Sequence, residues 1–144
     1  MTGIQELFDL TGKVAIVTGG AGFLGQQFSE ALVEAGASVV VADLDQQVAI
    51  EYAGTLKGNT AGIALDVTKP DSVNRCINET LNLYGSLDIL INSAALDPKF
   101  ESDSKTSHVT SFEEFPLTAW KDALDVNLTG MFLTCQAAAK VMKR

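Results

Sequence analysis

The sequence predicts an α/β domain, a doubly wound parallel sheet with strand order 3-2-1-4. Three observations carry this. Apolar runs without alternation, clearest in Val14-Ala15-Ile16-Val17 and Val39-Val40-Val41-Ala42, suit strands buried on both faces. Helical patterns alternate with these runs across short loops, which calls for parallel strands joined by right-handed crossovers. Finally, Gly20-Ala21-Gly22-Phe23-Leu24-Gly25 occupies the first strand-to-helix junction, the mark of a sheet whose first strand is the switch point.

Taken in order, Met1 to Leu10 form a lead-in, and Thr11-Gly12-Lys13 turns the chain into the first strand, which stops at Thr18 and Gly19. Phe28, Ala31, Leu32 and Ala35 then recur at helical spacing, and Gly36 occupies the usual closing position. Ser38 to Ala42 is the second strand, ending at Asp43. Val48, Tyr52 and Leu56 mark the next helix, which Gly58 can terminate, and a short strand follows around Gly62 to Leu65. Pro70 opens a third helix with Val73, Ile77, Leu81 and Tyr84 on one face, and Gly85 ends it. Leu87 to Ile91 is the fourth strand. Asp97 to Ser111 is polar and irregular, a mobile loop or lid by composition, in which His108 reads as a solvated residue. Leu117 to Arg144 is one long helical pattern.

A net charge of −8 and the lack of any basic stripe argue against nucleic acid or an anionic membrane as partner. With Glu6 and Asp9 in the lead-in and no long apolar run, neither a signal peptide nor a bilayer span is expected, and the cytoplasm is the expected compartment. Cys76 and Cys135 each fall in a helical pattern, so both are expected as buried free thiols. No metal site is expected.

The chemistry-bearing stretch is the glycine turn. Its glycines permit a tight turn, close approach of backbone to a pyrophosphate, and close helix–strand packing, and the free N–H groups of the following helix face negative charge. Asp43 lies eighteen residues after Gly25 at the end of the second strand. A carboxylate there accepts hydrogen bonds from the adenosine ribose of NAD and repels the additional phosphate of NADP. No Arg or Lys occurs between Thr18 and Gln47 to hold such a phosphate, so NAD is the expected cofactor.

From about Leu10 to Arg144 the chain resembles the first half or more of a short-chain dehydrogenase/reductase, a family with a Rossmann-type fold. Besides the glycine turn, Asp66-Val67 matches the adenine-contacting pair after the third strand. Asn92-Ser93-Ala94-Ala95 resembles the Asn-Ala-Ala-Gly turn that steadies the sheet and lines the cofactor. Asp125-Val126-Asn127-Leu128, with Gly130-Met131-Phe132-Leu133 after it, resembles the long helix locally interrupted by the active-site Asn. The resemblance implies cofactor contacts at Gly19, Gly22, Phe23, Leu24, Gly25, Asp43, Asp66, Val67, Asn92 and Ala94. It gives Asn127 a part in holding a proton-relay water. It also implies a dimer or tetramer built on the long helix, where Leu124, Leu128, Phe132, Cys135 and Ala139 form one stripe and Val126, Leu133, Ala137 and Val141 lie on others.

Two departures shape the functional reading. Phe23 stands where the family's compact branch has its second glycine, so that Thr18 to Gly25 resembles the Thr-Gly-x-x-Gly-x-x-Gly of the longer, sugar-nucleotide-modifying branch. The family's Tyr-x-x-x-Lys pair and its preceding Ser are also absent from these residues: Tyr52 and Tyr84 are followed four residues on by Leu56 and Asp88, and both read as packing residues. The leading expectation is the cofactor-binding portion, incomplete at its C-terminal side, of an NAD-dependent oxidoreductase acting on an alcohol/ketone pair. The alternatives are a sugar-nucleotide epimerase or dehydratase of the same fold, and a dinucleotide-binding module without catalysis.

Overall fold

The computed structural model describes residues 3–97 and 112–142. Four parallel strands, β1 (Val14–Thr18), β2 (Ser38–Asp43), β3 (Thr60–Ala64) and β4 (Ile89–Asn92), form a sheet in the expected order β3-β2-β1-β4. β1 is paired on both edges, its Thr18 lying opposite Ala42 of β2 and Asn92 of β4. The helices are α1 (Ile4–Leu7), α2 (Phe23–Glu34), α3 (Gln46–Thr55), α4 (Pro70–Tyr84), α5 (Leu117–Leu124) and α6 (Met131–Met142). Among the described residues no helix is long and apolar enough to cross a membrane. Most of the polar stretch read as a mobile loop, His108 included, lies outside the described residues.

The alternation of side chains along a strand distributes the core. Ile16, Val40 and Ala42 face α4 and α6, where they join Val73, Cys76, Ile77, Ala137 and Ala138. Ala15, Val17 and Val39 face the other way onto Leu32 and Val33 of α2, while Val41 meets Ala49 and Ala53 of α3. β1 and the interior of β2 are thus buried on both faces, the reason their sequences run apolar without a break.

Local signals bound the helices, Pro70 and Gly85 at the positions expected. Pro70 is the first residue of α4, and Gly85 closes it in the left-handed region at φ 81°, its N–H donating to the Leu81 carbonyl. The Asp45 carboxylate caps α3 by accepting from Gln47 N at 2.9 Å and Val48 N at 3.2 Å.

The helix faces differ from the expected ones. α2 buries Gly25 and Ser29, with Leu32 and Val33 partly covered, while Phe28 and Ala31 are exposed. α3 buries Ala49 and Ala53, whereas Val48 is exposed and Tyr52 and Leu56 pack at the margin. In both helices small side chains let the backbone approach the sheet, and the large apolar residues that dominate the periodicity are displaced outward. Gly62 shows how close that approach is: a Cβ there would collide with the backbone of Ala49 and Ile50. α3 also stops at Thr55, with Leu56 already extended, before Gly58 is reached.

Cys76 is buried as expected, and burial, aided by Glu79, pushes its thiol up to about 12, leaving it unreactive. Cys135, on α6, is exposed, a correction to the expectation of two buried thiols. The helical pattern beginning at Leu117 is one continuous run of α5 and α6, but Asp125–Gly130 between them is a π-helical turn. The structure therefore resolves the local interruption that the resemblance implied at Asn127.

Two glycines of neighbouring elements should respond oppositely to a methyl group. Gly62→Ala should destabilise the chain by about 1–3 kcal/mol through backbone overpacking. Gly54→Ala, in α3 with nothing within 4 Å of the added carbon, should stabilise it by about 0.4–1 kcal/mol. Urea-unfolding midpoints of the two variants test the pair, and a stable Gly62→Ala chain would contradict the α3–β3 contact.

Candidate functional site

At the carboxyl ends of the strands, the turn Gly19–Gly22 links β1 to α2. Gly19 sits at φ 60°, and a Cβ on it would lie 2.8 Å from the Ala94 Cα. Both the backbone angle and the close approach therefore demand glycine. A Cβ on Gly25 would collide with the Gly19 carbonyl oxygen, so the first turn of α2 can rest on the glycine turn only without a side chain. Gly22 is the N-cap of α2 and has no side chain to close the helix end, and the first turn of α2 carries no acidic residue. The N–H groups of Phe23, Leu24 and Gly25 precede the first intrahelical bond, Gln26 N to Gly22 O at 2.9 Å. An electropositive, side-chain-free cradle results.

Thr18, buried at the end of β1, joins this turn to the segment after β4. Its Oγ1 accepts from Ser93 N and Ala94 N, each at 3.1 Å. Asp43 closes the opposite side: Oδ2 accepts from Ala21 N at 3.1 Å and Oδ1 from Leu44 N at 2.8 Å. Each oxygen retains a further lone pair for a ligand hydroxyl. Next to it, Asp66 Oδ1 accepts from Thr68 N at 2.9 Å and Thr68 Oγ1 at 2.7 Å. The Thr68 hydroxyl, against partial burial and with help from Thr68 N–H and Lys69, holds the Asp66 carboxyl below the usual range, so it stays ionised.

These elements enclose a cleft of 490 Å³, lined by Gly19, Gly22, Phe23, Leu24, Gly25, Asp43, Asp66, Val67 and Ala94 from the expected set. Leu44, Leu65, Ser93, Ala95, Leu96 and Val126 complete the wall. Ser93 and Ala95 belong to the turn that the resemblance places along the cofactor, whereas Leu44, Leu65, Leu96 and Val126 were missed as wall residues because an apolar residue there has no signature of its own. The volume is within the range of small-molecule sites.

Two expected residues stand behind the wall rather than in it. Asn92 turns its side chain toward α6, where Oδ1 accepts from Thr134 Oγ1 at 2.6 Å and Nδ2 donates to Cys135 Sγ at 3.2 Å. Asn127, in the π turn, clamps the backbone of Leu96 from both sides: Oδ1 accepts from Leu96 N at 2.7 Å and Nδ2 donates to Leu96 O at 3.0 Å. The side chain thus takes the place of a neighbouring strand for a segment that has left the sheet. Tyr52 and Tyr84 are both away from the cleft. Tyr52 donates its hydroxyl to Gln26 O at 2.9 Å, and Tyr84 packs beside the α4–α6 core. Burial pushes both phenols up, the opposite of what an acid/base group requires.

Removing the clamp should be visible at Leu96 itself. Asn127→Ala should speed exchange of the Leu96 amide by about tenfold or more, while Asn127→Asp, which keeps an acceptor, should retain part of the protection. Unchanged exchange in Asn127→Ala would show that the bond is not formed in solution.

Comparison with known proteins bears on the whole arrangement. Residues 13–144 match the family model described as short chain dehydrogenase. The chain is 35% identical over 133 residues to a sorbitol dehydrogenase of Cereibacter sphaeroides, covering 92% of this chain and 48% of that protein. It is 34% identical over 134 residues to a 3-alpha-(or 20-beta)-hydroxysteroid dehydrogenase of Mycobacterium bovis, covering 93% and 48%. Among solved structures, the crystal structure of gox2181 superposes with a TM-score of 0.81 at 34% identity, over 94% of this chain and 50% of that one. The chain spans about half the length of the curated relatives it matches. The family match extends over residues 13–144, and the chain belongs to the short-chain dehydrogenase family.

Proposed function

We propose that these residues form the cofactor-binding part of an NAD-dependent oxidoreductase that interconverts an alcohol and a ketone. The observation that carries the cofactor choice is Asp43, whose carboxylate lines the cleft at the end of β2 with no Arg or Lys between Thr18 and Gln47. In this reading the α2 N-terminus receives the pyrophosphate, Asp43 the adenosine ribose hydroxyls, and Val67 the adenine. Ser93 to Leu96, held by Thr18 and Asn127, border the nicotinamide end. Bound there, the dinucleotide supplies or accepts the hydride. Asn127, whose counterpart in the family helps hold a relay water, contributes by fixing Leu96. Neither tyrosine is suited to move the proton, so residues 1–144 by themselves should bind cofactor without family-like turnover.

The common chemistry of a sorbitol dehydrogenase and a hydroxysteroid dehydrogenase among the relatives is oxidation of a carbinol, which supports the alcohol/ketone assignment. The spacing of Thr18, Gly19, Gly22 and Gly25 resembles that of the sugar-nucleotide-modifying branch and brings a sugar-like substrate into consideration within that class.

Titration should show tighter binding of NADH than of NADPH, and Asp43→Ala should narrow that difference. Equal affinities in the unmodified chain would overturn the cofactor assignment.

The proposal extends to self-association. Val126, Leu133, Ala137, Ala138 and Val141 pack on the core, whereas Leu117, Trp120, Leu124, Leu128, Met131 and Phe132 remain exposed along one side of the same helical run, Phe132 at 59%. At about 25 cal/mol per Å², covering several such side chains is worth several kcal/mol. We therefore propose that this stripe pairs with its equivalent in a second copy, giving a dimer or tetramer. Sedimentation should show self-association that Leu128→Glu and Phe132→Glu together abolish; a soluble monomer at micromolar concentration in the unmodified chain would refute it.

A further inference from the structure

The π turn touches both walls of the cleft. Asn127 within it holds Leu96 on one side, and Val126 lines the floor between. On the other side the contact is made by Gly130, the last residue of the turn. A Cβ on Gly130 would lie 2.6 Å from Val67 Cγ2, 3.0 Å from Val67 Cβ and 3.3 Å from the Asp125 carbonyl oxygen. Val67 is itself a wall of the cleft and only 7% exposed. It therefore has the cleft before it, the core beside it and the Gly130 backbone behind it.

We infer that Gly130 is a positioning residue: by carrying no side chain it lets Val67 sit back against the π turn, and so sets the width of the cleft on the adenosine side. The inference rests on the dinucleotide reading of the cleft and assigns to it a residue that makes no contact with the ligand. An added methyl group at position 130 has two ways to be accommodated. Either Val67 moves forward into the space the adenosine needs, or the turn retreats and carries Asn127, and with it Leu96, away from the other wall. The 3.0 Å approach to the Val67 Cβ rules out relief by rotation of the valine side chain alone, because Cβ does not move on rotation about χ1. The close-packed core behind Val67 resists the remaining path. In both cases the separation of the two walls changes, although neither ligand-facing residue has been altered.

The test is a double-mutant cycle on the full chain with ADP-ribose, which carries the adenosine and pyrophosphate, read by calorimetry. Gly130→Ala should weaken ADP-ribose by about tenfold or more, the scale of a strained close contact. Against a Val67→Ala background, which removes the 2.6 Å contact with Cγ2 and leaves only the 3.0 Å approach to Cβ, the same substitution should cost several-fold less affinity, so that the two changes are non-additive. A purely structural role for Gly130 would lower the melting temperature without this rescue of affinity. Equal weakening in both backgrounds, or unchanged affinity in Gly130→Ala, would overturn the inference while leaving the dinucleotide reading intact. Failure of the unmodified chain to bind ADP-ribose or NADH would overturn both. Should Gly130→Ala yield no folded chain, the Gly130→Ala/Val67→Ala pair is compared with Val67→Ala alone against the same ligand. A folded pair that keeps most of the affinity supports the inference, and a further loss of about tenfold or more refutes it.

Discussion

The architecture depends on one steric constraint, the lack of side-chain volume at Gly19 and Gly25. The Gly19 carbonyl occupies the place a Cβ on Gly25 would take, and the Gly19 Cα lies against Ala94. Three segments distant in sequence, the end of β1, the start of α2 and the chain after β4, thereby meet backbone to backbone. The meeting places the unsatisfied N–H groups of α2 at the mouth of the cleft, and Thr18 fastens the far side through two backbone N–H donors. The electropositive end of α2 lies in a chain of net charge −8. Peptide dipoles rather than basic side chains supply it, and they act within the first turn of the helix, whereas distant surface charges are screened.

The long helical run shows how one element serves two surfaces. Its inner side is mostly small or β-branched, with Val126, Gly130, Thr134, Ala137, Ala138 and Val141 beside Leu133 and Met142. Its outer side carries the large apolar residues. The π turn inserts an extra residue per turn at the place where the inner side meets the cleft. Asn127 and Gly130 act there in opposite senses, one reaching out to hold Leu96 and the other withdrawing to admit Val67. Both walls of the cleft are thus referred to a single rigid helix.

The carboxylates at the strand ends illustrate why residue type alone does not assign a role. Asp43 and Asp45 are two residues apart, yet Asp45 caps α3 while Asp43 braces the glycine turn and faces the cleft. Asp66 uses one oxygen to order the turn into α4 through Thr68. Asp88, outside the site, holds the entry of β1 to that of β4 through Val14 N at 2.9 Å. In each case the carboxylate accepts from a backbone N–H at an element's end, and only place relative to the switch point puts Asp43 and Asp66, and not Asp45 or Asp88, on the cleft wall.

What the sequence determined by itself is local and periodic. The unbroken apolar runs of β1 and β2, Pro70, Gly85 and the Asp45 cap specify elements through backbone sterics and short-range hydrogen bonds. The glycine spacing at a strand–helix junction specifies the strand order. The glycine turn and Asp43 were legible as a site for the same reason, because each lies at a strand end, and Asp66-Val67 through its resemblance to the family's pair. Tertiary packing decided the rest. Phe28 and Val48 carry the helical period, but Gly25, Ser29, Ala49 and Ala53 are what the sheet admits, because backbone proximity favours small side chains over apolar volume. Asn92 was read as a cofactor contact, whereas a Thr134 hydroxyl forty-two residues away directs its side chain toward α6. The pairing of Gly130 with Val67 has no periodic or local signal at all. Only the folded chain brings a helix backbone to within a methyl group of a loop sixty residues earlier, and that distance sets the width of the cleft.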